Sequence, residues 1–277
     1  MPLLEVPGAH LRYATKGTGE SPLVLAHGSA TDMSTWDGVV ESLAGHGRVV
    51  TYDRRGYGES QHKPVRDHRV HAADLIAVLE RVAAGPATLV GWSSGGNIAL
   101  AVAIRRPDLV SSLVLIEPPF HGLRHANLAV VRTGVTLKLR QLAGQRVRAA
   151  EEFLRFGSAL TSGGNSYDLA DSAVRDNLIA NSAPVLAEWD PHPFGIMHEH
   201  IRTRRLSRIA VPVTWVLGGE SLPWMATLHA HAAKHLPQIK TVVIEGAGHL
   251  VHLDRPAEFL DTVQTAWKQA TTSDSAT

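Results

Sequence analysis

The sequence predicts an α/β fold: a mostly parallel eight-stranded sheet flanked by helices, with a helical cap inserted after the sixth strand. Three observations carry this reading. Short β-rich runs alternate with longer helical patterns in the first half of the chain and again near its end. One of these units holds Gly91-Trp92-Ser93-Ser94-Gly95 between a strand and a helix. Between residues 120 and 209 the alternation stops, and no convincing strand is visible.

Taken in order, Leu3 to Val6 and Leu11 to Ala14 read as a hairpin turned at Pro7-Gly8. Pro22 to Ala26 is a continuous apolar run, the pattern of a strand covered on both faces. Met33 to Ala44 places Trp36, Val39, Val40 and Leu43 at helical spacing, and Arg48 to Tyr52 is the next strand. His68 to Ala83 repeats the helical spacing with Leu75, Ile76, Val78, Leu79 and Val82. Ala87 to Val90 is a strand, Gly95 to Arg105 a small-residue helix stopped before Pro107, and Leu113 to Ile116 the sixth strand. Helical stretches follow at Val135 to Phe156 and Ala170 to Ala180, broken by Ser162-Gly163-Gly164-Asn165 and Asp190-Pro191-His192-Pro193. Strand and helix alternate again through Val211 to Leu217, Met225 to His235, Thr241 to Ile244 and Pro256 to Lys268. The tail from Thr271 is expected to fray. The division is a core of residues 1–119 and 210–277 and a helical cap of residues 120–209.

Composition narrows the function. The 277 residues are 44% apolar and 19% charged, which allows a substantial core and excludes a disordered chain. With 27 Lys and Arg against 26 Asp and Glu, the net charge of +1 gives no reason to expect nucleic acid as a partner. There is no cysteine, which excludes disulfides, thiolate nucleophiles and cysteine-based metal sites. No apolar run approaches the roughly 18 residues of a membrane span, and the N-terminus lacks the pattern of a secretory signal. The expectation is a cytoplasmic protein without a membrane partner.

The G-x-S-x-G string sits where its chemistry requires it. A sharp turn between strand and helix exposes the Ser93 hydroxyl, and side chains at the flanking glycines would strike neighbouring backbone. The following helix aims its free N–H groups at the site, where they favour developing negative charge. An ordinary Gly/Ser turn is the bland alternative, and the strand–helix context argues against it. Ser93 is the candidate nucleophile.

Three further strings carry a family resemblance. His27-Gly28-Ser29-Ala30 follows the strand Pro22 to Ala26; Tyr52-Asp53-Arg54-Arg55-Gly56-Tyr57-Gly58-Glu59-Ser60 follows the next; Gly246-Ala247-Gly248-His249 follows the last. Together with the serine turn they resemble the α/β-hydrolase family. The resemblance implies an oxyanion hole from the N–H groups of Ser29 and Ser94, with His249 as the general base. His27 and His252 are read as structural, and the Tyr52 to Ser60 segment as architecture. Trp92, Ala30 and Trp189 are expected to contact substrate.

The acid is where the sequence departs from the family. The usual aspartate follows the penultimate strand, but here that region reads Val216-Leu217-Gly218-Gly219-Glu220-Ser221-Leu222-Pro223. Glu220 is one candidate. The other is Glu117, directly after the sixth strand, where haloalkane dehalogenases and zearalenone lactonases of this fold carry their acid. The string around Glu117 resembles the lactonases most, and the empty aspartate position favours it over Glu220.

Other clusters are read conservatively. His192, His198 and His200, and separately His229, His231 and His235, lack a three-ligand zinc spacing, so no metal is expected. Gly17-Thr18-Gly19 is too short for a dinucleotide fingerprint, and no cofactor is implied. A serine nucleophile disfavours alkyl-enzyme chemistry, because a serine ether has no route to hydrolysis. The resemblance implies a serine hydrolase of a small-molecule ester or lactone, bulky lactones included. Thioester hydrolysis, C–C hydrolysis, perhydrolysis and a non-catalytic binding role use the same scaffold and stay open.

Overall fold

The structure, a computed structural model, describes residues 2–60, 62, 63, 65, 67–120, 125–188 and 201–274. Its strands are β1 (Leu3–Val6), β2 (Ala9–Lys16), β3 (Leu23–Ala26), β4 (Val49–Tyr52), β5 (Ala87–Trp92), β6 (Val110–Ile116), β7 (Val213–Gly218) and β8 (Ile239–Ile244). They form one sheet in the order β1-β2-β4-β3-β5-β6-β7-β8. Only β2 runs against its neighbours; every pair from β4 onward is parallel.

The continuous apolar runs follow from that topology, because helices cover both faces of a parallel sheet. Val24, Ala26, Leu89, Leu113, Leu115 and Trp215 point to one face, where α2 (His68–Val78) and α3 (Ser94–Arg105) pack. Leu23, Leu25, Val90, Val114, Ile116 and Val216 point to the other, against α1 (Asp37–Ala44) and α11 (Pro256–Asp274). Strand alternation thus splits the core into two layers, and the ends of β3, β5, β6 and β7 meet between them.

Several boundaries differ from expectation for local reasons. Met33 to Ala44 opens with a tight turn at Met33–Trp36, capped by the Asp32 carboxylate, before α1 begins. Leu79–Ala83 is a widened turn after α2, ended by Ala84 at φ 60°. The stretch expected as one helix from Val135 to Phe156 is two, α4 (Leu128–Leu142) and α5 (Arg146–Gly157). Gly144, at φ 73°, stops the first. The last helix continues to Asp274, past the expected stop at Lys268.

Between β6 and β7 lie α4, α5, α6 (Ser166–Leu169), α7 (Ser172–Ala180) and α8 (Ser182–Glu188). Phe120, Ile201, Leu206 and Ile209, at the two ends of this segment, are buried in the α2–α3 layer. The helices dock on the core through polar bonds. Asn177 and Asn181 donate to Asp32 Oδ2 at 2.8 and 3.0 Å, and Ser166 donates to Asp254 Oδ2 at 3.0 Å. The remaining helices are α9 (Pro223–Ala233) and α10 (Val251–Asp254). Trp189, His192, Phe194, Met197, His198 and His200 lie outside the described residues. No helix among the described residues is long and apolar enough to cross a membrane.

Candidate active site

Ser93 occupies the turn between β5 and α3 in a strained conformation, φ 52° and ψ −121°. The strain is held from both sides. The Ser93 N–H donates to Ile116 O at 2.8 Å, and its carbonyl accepts from Gly96 N at 2.9 Å. A side chain at Gly95 would come within 2.3 Å of Ala26 O, and one at Gly91 within 2.6 Å of Gly96 Cα. Both glycines are therefore demanded by backbone that passes too close for a Cβ.

The neighbouring strand ends bring the other groups. Glu117 follows β6, is 1% exposed, and also has a positive φ of 42°. Its Oε2 lies 2.7 Å from His249 Nδ1, and its Oε1 accepts from Gly218 N at 2.8 Å. Between the strand ends and the helices α5, α6 and α7 lies a cavity of about 50 Å³. Ser93 and His249 both line it, with Trp92, Phe153, Leu154, Tyr167, Leu178 and Leu250 as its apolar walls. A larger cavity, about 450 Å³, is lined by Asp32, Asp53, Asn177 and Asn181 and touches neither Ser93, Glu117 nor His249. The chemistry-bearing groups converge on the smaller one.

Trp92 lines that cavity and donates its Nε1–H to His249 O at 2.8 Å, so it also fixes the histidine loop. Ser29 is a lining residue as well. Ala30 is not. It turns the chain at φ 61° and is buried against Tyr57, Leu154 and Leu178, so packing rather than substrate contact occupies its side chain. Glu220 is also placed elsewhere: its carboxylate accepts from Thr161 Oγ1 at 2.8 Å and Ser162 N at 3.0 Å. Those two bonds hold its carboxyl below the usual range. With its carboxylate turned to Thr161 and Ser162, Glu220 does not meet His249.

Three other histidines have structural partners. His252 lies between Trp36 and Trp92, with ring centroids 4.6 and 4.7 Å away, and Thr35 Oγ1 is 2.7 Å from its Nε2. Burial pushes it down to about 3, so it stays neutral. His27 is fully buried, and burial with the adjacent Arg54 guanidinium pushes it down to about 3. His229 Nε2 is 2.8 Å from Thr241 Oγ1. Among the described residues no group of three or more His, Asp or Glu side chains is placed to hold a metal ion.

Three side chains around the site escaped sequence reasoning. Arg54 is fully buried and donates to Gly28 O, Ser94 Oγ and Glu188 Oε1 at 3.1, 2.8 and 2.5 Å. Glu188, the last residue of α8, is 2% exposed. Burial opposes its charge, but Arg54 and the nearby His71 outweigh it and hold the carboxyl well below its usual range. Asp254 accepts from Gly248 N at 2.8 Å and steadies the residue before His249. A paired Arg54-Arg55 beside a glycine turn was the only signal for the first; a lone glutamate in a cap helix gave none for the second.

Comparison with known proteins shows the same fold. The pimeloyl-(acyl-carrier protein) methyl ester esterase of Nitrosomonas europaea is 26% identical over 255 residues, covering 91% of this chain and 97% of that one. A solved N-acyl homoserine lactone degrading enzyme superposes with a TM-score of 0.78 at 23% identity, over 95% of this chain and 99% of that one. The bromoperoxidase from Bacillus anthracis gives 0.80 at 22% identity, over 96% and 99%. The model of the alpha/beta hydrolase family matches residues 23–262, and the chain belongs to that family.

Proposed function

We propose that the protein is a serine hydrolase of carboxylic esters or lactones. One observation carries the reading: His249, hydrogen-bonded to Glu117 at 2.7 Å, lines the same cavity as Ser93. In this scheme His249 Nε2 takes the Ser93 proton as Oγ attacks the carbonyl carbon. The carbonyl oxygen becomes an oxyanion held by the N–H groups of Ser29 and Ser94. Its collapse expels the alkoxide, which leaves with the proton from His249. Water, deprotonated by His249, then releases the acid and restores Ser93. Glu117 keeps the proton of the neutral imidazole on Nδ1 and stabilises the imidazolium that forms in each step.

The similar proteins support both bond types, one being an esterase and one a lactone-degrading enzyme. The apolar walls favour an apolar acyl group. The volume of about 50 Å³ lies well below the roughly 300 Å³ at which drug-sized ligand pockets begin, so compact substrates fit better than bulky rings. The test is labelling with a fluorophosphonate probe followed by peptide mapping, with an ester and lactone panel alongside. Label on Ser93 and turnover of the panel are expected; an unlabelled protein inert to the whole panel would overturn the reading.

A further inference from the structure

The peptide between Gly28 and Ser29 is gripped at its carbonyl. Arg54 N donates to His27 Nε2 at 2.9 Å, which leaves the imidazole proton on Nδ1. That proton is donated to Gly28 O at 2.8 Å, and Arg54 Nη1 donates to the same oxygen at 3.1 Å. Both lone pairs of one carbonyl are thereby engaged. In a planar trans peptide the C=O and the following N–H point in opposite directions, so fixing Gly28 O fixes the Ser29 N–H. Among the described residues neither the Ser29 nor the Ser94 N–H donates to another backbone group.

The grip is anchored from the cap. Glu188 Oε1 takes Arg54 Nη2 at 2.5 Å, and Ser29 Oγ donates to Glu188 Oε2 at 2.9 Å. Ser94 Oγ, on the residue with the second free N–H, lies 2.8 Å from Arg54 Nη1 and 2.9 Å from Ser29 Oγ. The two side chains of the ion pair are 0% and 1% exposed. A buried ion pair is weak evidence for stability, since apolar residues of similar volume often pack as well. What an apolar pair cannot do is hold Gly28 O, Ser94 Oγ and Ser29 Oγ in one hydrogen-bonded frame.

We propose that Arg54 and His27 are positioning residues for the Ser29 N–H, and that Glu188 on α8 locks Arg54 in place, so the oxyanion hole is complete only with the cap helix docked. The proposal rests on the serine-hydrolase reading and extends it. The cap becomes part of the catalytic geometry as well as a wall of the substrate cavity. Substrate exclusion from water and oxyanion stabilisation are then set by one event, the seating of α8.

The test is the double variant Arg54→Met with Glu188→Met, which removes both charges together and strands neither. The expected result is a melting temperature close to that of the unaltered protein, with kcat reduced about 10²-fold and KM changed less than twofold. Affinity for a trifluoromethyl ketone, whose hemiketal presents the oxyanion, should fall in parallel with kcat. A purely structural role would not tie those two quantities together. A folded double variant with kcat within threefold of the unaltered protein would overturn the proposal. Should the double variant fail to fold, Ser29→Ala keeps the N–H but loses the bond to Glu188. It must then lower kcat about tenfold with KM unchanged, and full activity would count against the idea. Fluorophosphonate labelling separates the two levels. If the unaltered protein is not labelled on Ser93, the hydrolase reading falls and this inference with it. If both proteins are labelled at equal rates, the hydrolase reading stands and this inference alone falls.

Discussion

Glu117 reaches His249 across the end of the intervening strand: its Oε2 lies 2.7 Å from the imidazole Nδ1 while its Oε1 accepts the Gly218 N–H at 2.8 Å. Gly218 ends β7, the strand after which the family's usual aspartate would stand. In this chain that strand end supplies a backbone donor, and the carboxylate comes from β6 next door. Both oxygens of Glu117 are therefore used, one on the His249 imidazole and one on a backbone N–H. The backbone at Glu117 is left-handed, with φ 42°.

From this follows the first prediction. Glu117→Gln should lower kcat by about 10⁴, the cost of losing the acid in a comparable triad, while the fold survives because the amide preserves size. Glu220→Gln should leave kcat within threefold, because Glu220 bonds Thr161 and Ser162 away from the imidazole. Steady-state kinetics on the two variants decide the matter. The reverse pattern would reassign the acid.

Ser93→Ala should abolish turnover, with a loss of order 10⁶ in kcat, since removing the nucleophile removes the acyl-enzyme route. Circular dichroism should remain unchanged, because the N–H and carbonyl of residue 93 carry the turn. Retention of a tenth of the activity would exclude a serine mechanism.

The reach of the sequence can be judged from particular residues. The strands were legible because a parallel sheet buries both faces, which gives PLVLA-type runs that no helix of that length needs. Ser93 and His249 were legible because a strained turn and a loop between defined elements demand glycine at fixed offsets. The carboxylate partner of His249 was only half legible: a missing aspartate is visible, but which glutamate meets the imidazole depends on how two loops turn in space. Arg54 and Glu188 were hidden for a different reason. Their partnership spans 134 positions and joins a core loop to a cap helix, and nothing local in either segment records it. The break at Gly144 was missed because apolar spacing continues on both sides of it.

Buried histidines set the pH dependence of stability. His27 and His252 are each pushed from 6.5 to about 3, chiefly by burial, so the unfolded chain binds more protons than the folded one between those values. Stability should therefore rise with pH across that window and be lost on acidification below about 6.5. Each group contributes about 1.4 kcal/mol for every pH unit within the window. His71, lowered by burial and by Arg54, acts in the same direction. Asp53 opposes them: burial raises it to about 6, so the folded state holds its proton and stability falls as pH rises from about 4 to 6. Asp37 and Asp254, also raised by burial, act with Asp53. The four lowered histidines, His229 included, outnumber these three carboxyls, and urea unfolding at pH 5 should give a lower free energy than at pH 7. A higher value at pH 5 would mean these imidazoles are protonated in the folded protein.

The cavity predicts a chain-length preference. Phe153, Leu154, Leu178 and Leu250 present carbon to the acyl group, so each methylene buried against them should raise kcat/KM by up to about fourfold, the equivalent of about 0.8 kcal/mol. The volume of about 50 Å³ closes that series early. For p-nitrophenyl esters kcat/KM should climb from acetate to butyrate and fall by decanoate, and small lactones should outperform macrocyclic ones. Phe153 sits on α5, half-buried at the cavity wall, so Phe153→Ala enlarges the space without touching Ser93, Glu117 or His249. Its optimum should move to longer chains, with kcat for acetate little changed. A preference for decanoate or macrocyclic lactones in the unaltered protein, already present without the substitution, would show that the cap opens to a much larger site and that these four side chains do not set the limit.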